Sequence, residues 1–211
     1  KQRMRVAWGA AAVLLLLSIA LAGVLIFPRT TSELPKISFE IPTPSAPSPF
    51  HIALSPSGSH IAAIVNSDKG NVLWIRPVER LNASMVASTD GVQFPFWSPD
   101  GRFVAFFADR KLKKVDLLGA PPQTLGDASQ GHGGTWNKDD VIVFAPTASA
   151  PLFRVSAAGG MSAQLTELDR ARQEIAHRHP WFLPDGNHFL FVAISTKAEN
   201  SGIYVGSLDS R

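Results

Sequence analysis

No cysteine occurs among the 211 residues of this chain. Disulfide bonds and thiolate metal sites are therefore excluded, which leaves the redox compartment undetermined. The sequence also lacks a Gly-rich nucleotide loop, the H-R-D and D-F-G motifs and a G-x-S-x-G elbow. A protein-kinase core and a hydrolase elbow are thus absent from these residues, and we expect them to supply no catalytic residue, metal site or cofactor site.

Most of the chain has no excess of basic or acidic residues. The formal net charge is +3, from 20 basic and 17 acidic residues. Lys1, Arg3 and Arg5 account for this excess, and the remaining residues are balanced. A balanced surface gives no support to nucleic-acid binding.

The most informative stretch runs from Phe94 to Ala108 and predicts a β-hairpin. Phe94–Trp97 and Arg102–Ala108 have strand composition, and Ser98-Pro99-Asp100-Gly101 has turn composition. The second strand is apolar almost throughout, which indicates burial on both faces. We therefore expect Trp97 and Phe106 to lie between two stacked sheets.

The same hairpin occurs four times. Taking Ser55, Ser98, Asn137 and Leu183 as equivalent, the spacings are 43, 39 and 46 residues. This period is typical of the four-stranded blades of a β-propeller. The turn residues to which we assign structural roles are Pro56, Gly58, Pro99, Asp100, Gly101, Asp139, Asp140, Pro184, Asp185 and Gly186.

The fold class that follows is all-β, an incomplete β-propeller of about four four-stranded blades over residues 50–211. The fourth blade reaches a third strand at Gly202–Leu208 and lacks an outer one. An open arc should leave the apolar faces of its first and last blades exposed to water.

The N-terminal part predicts a membrane anchor. Residues 6–27 carry no charge and would form a helix about 33 Å long, against a bilayer core of about 30 Å. Basic residues lie only before it, so residues 1–5 should be cytoplasmic and the rest extracytoplasmic. A cleaved signal peptide ending at Ala20-Leu21-Ala22 is the alternative. Residues 28–49 form a Pro-rich tether with a possible ring-closing strand at 37–41.

Several stretches resemble the TolB-like propeller repeats, a bacterial relative of the WD repeat. They include FHIALSPSG, FPFWSPDG, GGTWNKDDVIVFAP and HRHPWFLPDG. The closer likeness is to the extracytoplasmic propeller of bacterial membrane-anchored serine/threonine kinases. The resemblance implies a single-pass protein of the bacterial inner membrane, a kinase domain upstream of residue 1, and an unidentified protein or small-molecule ligand.

Two alternatives follow from the same resemblance. The propeller would gate a downstream hydrolase, as in relatives of prolyl oligopeptidase, or act as a secreted periplasmic scaffold. The sequence departs from the repeat pattern at Ser57, which replaces Asp, and at Asn137–Asp140, which lacks Pro and Gly. Asp140 can take the left-handed conformation there, less easily than Gly does.

The candidate ligand-binding residues are His177, Arg178, His179 and His132. On a regular strand His177 and His179 would point to one face. That spacing suits a metal, but the sequence offers no further ligand, so we predict a structural role or a role in the solvent channel of the propeller instead. The Gly131–Gly134 loop should precede an inner strand rather than bind phosphate.

Overall fold

The computed structural model describes residues 14–18, 51–68, 70–80, 82, 84–86 and 91–209. The chain divides into two compact units, Lys1–Pro42 and Thr43–Arg211. In the first unit, residues 14–18 are helical and exposed. No helix among the described residues has the length and apolar character needed to cross a bilayer. The rest of the predicted anchor, the tether at 28–49 and the strand at 37–41 lie outside the described residues.

The described part of the second unit contains four antiparallel sheets, each a simple meander in chain order. Sheet 1 comprises β1 (Ile52–Leu54), β2 (His60–Ser67), β3 (Gly70–Pro77) and β4 (Ser84–Met85). Sheet 2 comprises β5 (Gln93–Trp97), β6 (Phe103–Ala108), β7 (Lys111–Asp116) and β8 (Gln123–Asp127). Sheet 3 comprises β9 (Gly134–Trp136), β10 (Val141–Phe144), β11 (Phe153–Ser156) and β12 (Ala163–Gln164). Sheet 4 has three described strands, β13 (Glu174–Phe182), β14 (His188–Ser195) and β15 (Gly202–Ser207).

Three apolar layers join the sheets in sequence. Sheets 1 and 2 meet around Phe106, which is fully buried, and Trp97, which is 7 % exposed. Sheets 2 and 3 meet around Phe107 and Phe144, and sheets 3 and 4 around Phe189. The expected burial of Trp97 and Phe106 between sheets is therefore confirmed, and so is the repeated sheet architecture.

The turns that start each repeat show why their residues suit them. Ser98 Oγ donates to Asp100 Oδ1 (2.5 Å), and the same oxygen accepts the backbone N–H of Arg102 (3.0 Å). In the third turn Asn137 Oδ1 accepts the backbone N–H of Val141 (2.9 Å), and Asp140 adopts a left-handed φ of 58°. A side-chain acceptor thus stabilises each of these turns, and Asp140 takes the position that Gly holds elsewhere.

The outer faces of the two end sheets differ. In sheet 1, Ala63 and Val65 are fully buried on the face turned away from sheet 2, and Trp74 is 5 % exposed. On the equivalent face of sheet 4, Ile203 is 73 % and Val205 61 % exposed. The expectation of two exposed end faces is therefore correct for sheet 4 and wrong for sheet 1.

Candidate functional site

The innermost strands of the four sheets are neighbours and line one groove. β1 contacts β5, β5 contacts β9, and β9 contacts β13. The space between them has a volume of about 700 Å³ and a mainly apolar wall. Pro56 and Pro99 lie on the wall of this axial groove toward the turns, and Phe94, Gly133 and His179 lie on it away from the turns.

In sheets 2 to 4, a residue with left-handed backbone lies within the inner strand or directly before it. These residues are Phe94 (φ 46°), Gly133 (φ 92°) and His179 (φ 51°). All three stand four positions before the equivalent turn residue, and the pairing register shifts beside Phe94 and His179. A non-glycine residue rarely adopts this conformation, so two cases at equivalent positions mark a constrained feature of the repeat.

Three imidazoles surround one phenyl ring at this end of the groove. The Phe94 ring lies 5.2 Å from His51, 5.5 Å from His132 and 5.7 Å from His179, between ring centroids. The backbone N–H of His179 donates to the carbonyl of His132 (3.0 Å). We call these four residues the histidine collar. Gly133 permits the packing, because a Cβ there would lie 3.0 Å from the Cα of His179.

Burial controls the charge of the collar. It lowers the pKa of the His51 imidazole, and it lowers that of His132 and His179 together with the nearby positive charge of Arg178. The collar imidazoles are therefore predominantly neutral at pH 7. His51 Nδ1 and His132 Nε2 are shielded from solvent and have no hydrogen-bond partner. Neutral rings with unpaired nitrogens can accept or donate a hydrogen bond to a ligand.

The structure brings together His132 and His179 but separates His177 from them. The left-handed φ at His179 and the register shift between Arg178 and Trp181 interrupt the alternation of β13. His177 is instead buried, with its Nδ1 2.8 Å from Thr166 Oγ1 and its Nε2 3.0 Å from Glu174 Oε2. The expectation that His177 and His179 share one face is therefore wrong, because period-two geometry does not survive a bulge.

Arg178 lies in β13 between the buried His177 and the collar residue His179. Its Nε donates to the carbonyl of Ala148 (3.2 Å), and its Nη2 donates to the same oxygen. These bonds tie β13 to the loop that follows β10. Among the described residues, no group of three or more His, Asp or Glu side chains is placed to hold a metal ion.

The turn residues lie away from the collar, at the other end of the inner strands. Asp185 accepts hydrogen bonds from the backbone N–H groups of His188 (2.9 Å) and Asn187 (3.0 Å). The bond from the His188 backbone, that from the His188 ring and that from Asn187 lower the pKa of Asp185 to about 2. The Asp185 carboxylate accepts hydrogen bonds within its own turn, which is the structural role that we expected for the turn aspartates.

Sequence reasoning missed His51 and Phe94. Both residues stand four positions before an equivalent turn residue, Ser55 and Ser98 respectively. That position is the same in the repeat as Gly133 and His179. Alignment of the repeats backward from their turns, and not only forward into the apolar strand, would have grouped these four positions.

No family model and no curated protein matches this chain. Solved structures are similar to it. TolB from Acinetobacter baumannii matches with a TM-score of 0.63 and 17 % identity, over 75 % of this chain and 40 % of TolB. Oligogalacturonate lyase from Vibrio parahaemolyticus gives 0.54 and 14 %, over 74 % of this chain and 54 % of the lyase. The β-propeller domain of the Trilobed protease from Pyrococcus furiosus, which has an open velcro topology, gives 0.53 and 15 %, over 74 % and 54 %.

The chain spans less than two thirds of each of these structures. Similarity at this level of identity establishes the fold and not the activity. The antiparallel sheets, their order and these neighbours lead to one conclusion: the described sheets have the fold of a TolB-like β-propeller.

Proposed function

We propose that this chain is a membrane-anchored, extracytoplasmic propeller module that binds a ligand or protein partner in its axial groove. The observation that carries the proposal is the groove itself, about 700 Å³ of mainly apolar space with polar rings at one end. Ligand sites combine an apolar wall with a few convergent polar groups in this way. The repeat places those groups on the inner strands of different sheets, which holds them in fixed positions.

The proposed location rests on the N-terminal sequence. The uncharged residues 6–27 anchor the chain in the bacterial inner membrane, and the basic residues 1–5 remain in the cytoplasm. A reporter that is active only outside the cytoplasm, fused after Arg211, should be active in cells. Activity of a cytoplasm-specific reporter at the same position would reverse the topology.

We further propose that the module is the C-terminal part of a transmembrane serine/threonine kinase. The support is the resemblance of the repeats to the propellers of such kinases. The coding sequence upstream of Lys1 tests this directly, since it should contain H-R-D and D-F-G motifs. A catalytic hydrolase domain encoded downstream of Arg211 would favour the gating alternative instead.

Photocrosslinking in cells tests whether the groove is the binding site. A benzophenone amino acid replaces Trp181, which lines the groove and is 69 % exposed, or Leu118, which is 82 % exposed and outside it. We expect a discrete crosslinked product from position 181 and none from position 118. Identical products from both positions, or none from position 181, would contradict groove binding.

A further inference from the structure

Polar groups are distributed unevenly along the axial groove. Among the described residues of its wall, His179 is the only side chain that can carry a charge, and part of its surface is open to solvent. The wall near the turns is apolar, with Pro56 and Pro99. A ligand that fits this groove therefore has an apolar body and places its polar group at the histidine collar.

Two collar nitrogens lack partners although both atoms are shielded from solvent. His51 is 9 % exposed with an unpaired Nδ1, and His132 has an unpaired Nε2. Buried polar atoms in proteins are almost always hydrogen-bonded, so an unpaired one needs an explanation such as a ligand or an ordered water. Both rings contact Phe94, and the Phe94 ring forms part of the groove wall.

The charge beside the collar is positive. Arg178 is close enough to His132 and His179 for its charge to disfavour their protonation. Its guanidinium hydrogen-bonds to the neutral carbonyl of Ala148. Within the part of the chain that the structure describes, no carboxylate forms an ion pair with Arg178. This end of the groove therefore favours an anion.

We propose that the histidine collar anchors the carboxylate of a ligand whose apolar body lies in the axial groove, an inference that rests on the proposed function. His179 meets the carboxylate from the groove side, and Arg178 supplies the positive potential. The Phe94 ring lines the groove and contacts both other imidazoles, so the carboxylate reaches His51 and His132 only if this ring turns aside. The carboxylate belongs to the C-terminus of a peptide or to a small amphipathic acid, which present the same chemistry.

The six histidines of the chain provide both reporters and internal controls. Their Cε1–H resonances are followed by NMR during titration with 3-phenylpropionate and, separately, its neutral analogue 3-phenylpropanamide. Charge-assisted hydrogen bonds should make the acid bind about 10-fold more tightly than the amide. His51, His132 and His179 should shift, whereas His60, His177 and His188 should not. Acetyl-Gly-Phe and its C-terminal amide form a second pair, and the tighter acid of the two identifies the source of the carboxylate.

Two variants and one control locate the anchor. Arg178→Gln and His132→Gln should each abolish the preference for the acid and retain binding of the amide. His188→Gln, at the exposed start of β14, should keep the preference. Because Arg178 also ties β13 to a loop, His132→Gln decides the matter if Arg178→Gln does not fold.

Equal affinities for acid and amide, or shifts outside the collar, would overturn the carboxylate anchor and leave groove binding intact. Absence of binding by both acids would also overturn the carboxylate anchor. The proposed function is tested separately, because its failure would show as the absence of a crosslinked product from position 181.

Discussion

The two end sheets of the propeller arc have the same kind of apolar outer face in opposite environments. On sheet 1 this face is dry, with Val65 fully buried and Trp74 5 % exposed. On sheet 4 it is exposed to solvent, with Val205 61 % and Trp181 69 % exposed, and we call it the wet face. The described residues of the buried cluster on sheet 1 come from that sheet alone.

A strand face has two properties: which side chains share it, and whether a neighbouring layer covers it. A sequence pattern does not distinguish them. Alternation along β2 and β14 determines which side chains share a face. Whether that face meets a neighbour depends on the remainder of the assembly. On sheet 4, Leu190 pairs with Val205 and Val192 with Ile203, so the wet face is a continuous apolar surface. Such a surface favours association.

The largest expected effect comes from introducing the same charge on both outer faces. Val65→Asp places a carboxylate at a fully buried position and should destabilise the protein by at least about 4 kcal/mol. Val205→Asp, at an exposed position, should change stability by no more than about 0.5 kcal/mol. Chemical denaturation of both variants measures the contrast. Equal losses would mean that the two faces do not differ in solution.

A second contrast compares an inter-sheet aromatic residue with one on the wet face. Phe106→Ala removes a fully buried ring between sheets 1 and 2 and should cost about 3–5 kcal/mol. Trp181→Ala removes an exposed ring from sheet 4 and should cost less than about 1 kcal/mol. Urea titrations give both values. A loss below about 1 kcal/mol for Phe106→Ala would remove it from the sheet interface.

Most of the fold was predictable because each repeat carries its own local signals. Turn residues at fixed offsets and apolar strands after them gave the four sheets, and even the left-handed Asp140 follows from its position. The dry face of sheet 1 was not predictable, because no local pattern states what covers a face. The axial groove likewise forms only when four distant segments come together.

The candidate site was predictable in part for the same reason. The polar cluster at 177–179 points to His179, and the glycine-rich loop before an inner strand points to His132; the two residues meet at the collar. His51 and Phe94 were missed because their role depends on repeat position rather than on a polar cluster. His177 was grouped with His179 on strand periodicity, which the left-handed backbone at His179 invalidates.

A third contrast tests how firmly sheet 4 is attached on its inner side. His177→Leu removes the hydrogen bonds to Thr166 and Glu174 and leaves the buried Glu174 carboxylate with fewer partners. It should cost about 2 kcal/mol. His188→Leu breaks an exposed pair with Asp185 and should destabilise the protein much less than His177→Leu does. Thermal unfolding monitored by circular dichroism compares them, and equal losses would contradict the buried network.

The smallest expected effect on stability comes from substitutions on the wet face. These substitutions should have the clearest effect on self-association. Replacing Ile203 and Val205 together by Lys breaks the apolar surface of sheet 4 and should reduce self-association, because lysine on an exposed strand opposes pairing with another chain. Unfolding free energy should change by less than about 0.5 kcal/mol per site, since both side chains are exposed. Sedimentation velocity over a range of protein concentrations measures association.

A matched pair of substitutions controls for charge in this last experiment. Leu118 and Met161 are 82 % and 98 % exposed and lie outside the sheets, so their double replacement by Lys adds the same charge and removes as many apolar side chains. It should leave association unchanged. If both double variants dissociate equally, net charge and not the sheet 4 face governs association. If neither does, the wet face is not an interaction surface, and the contrast between the two ends of the arc has no consequence for assembly.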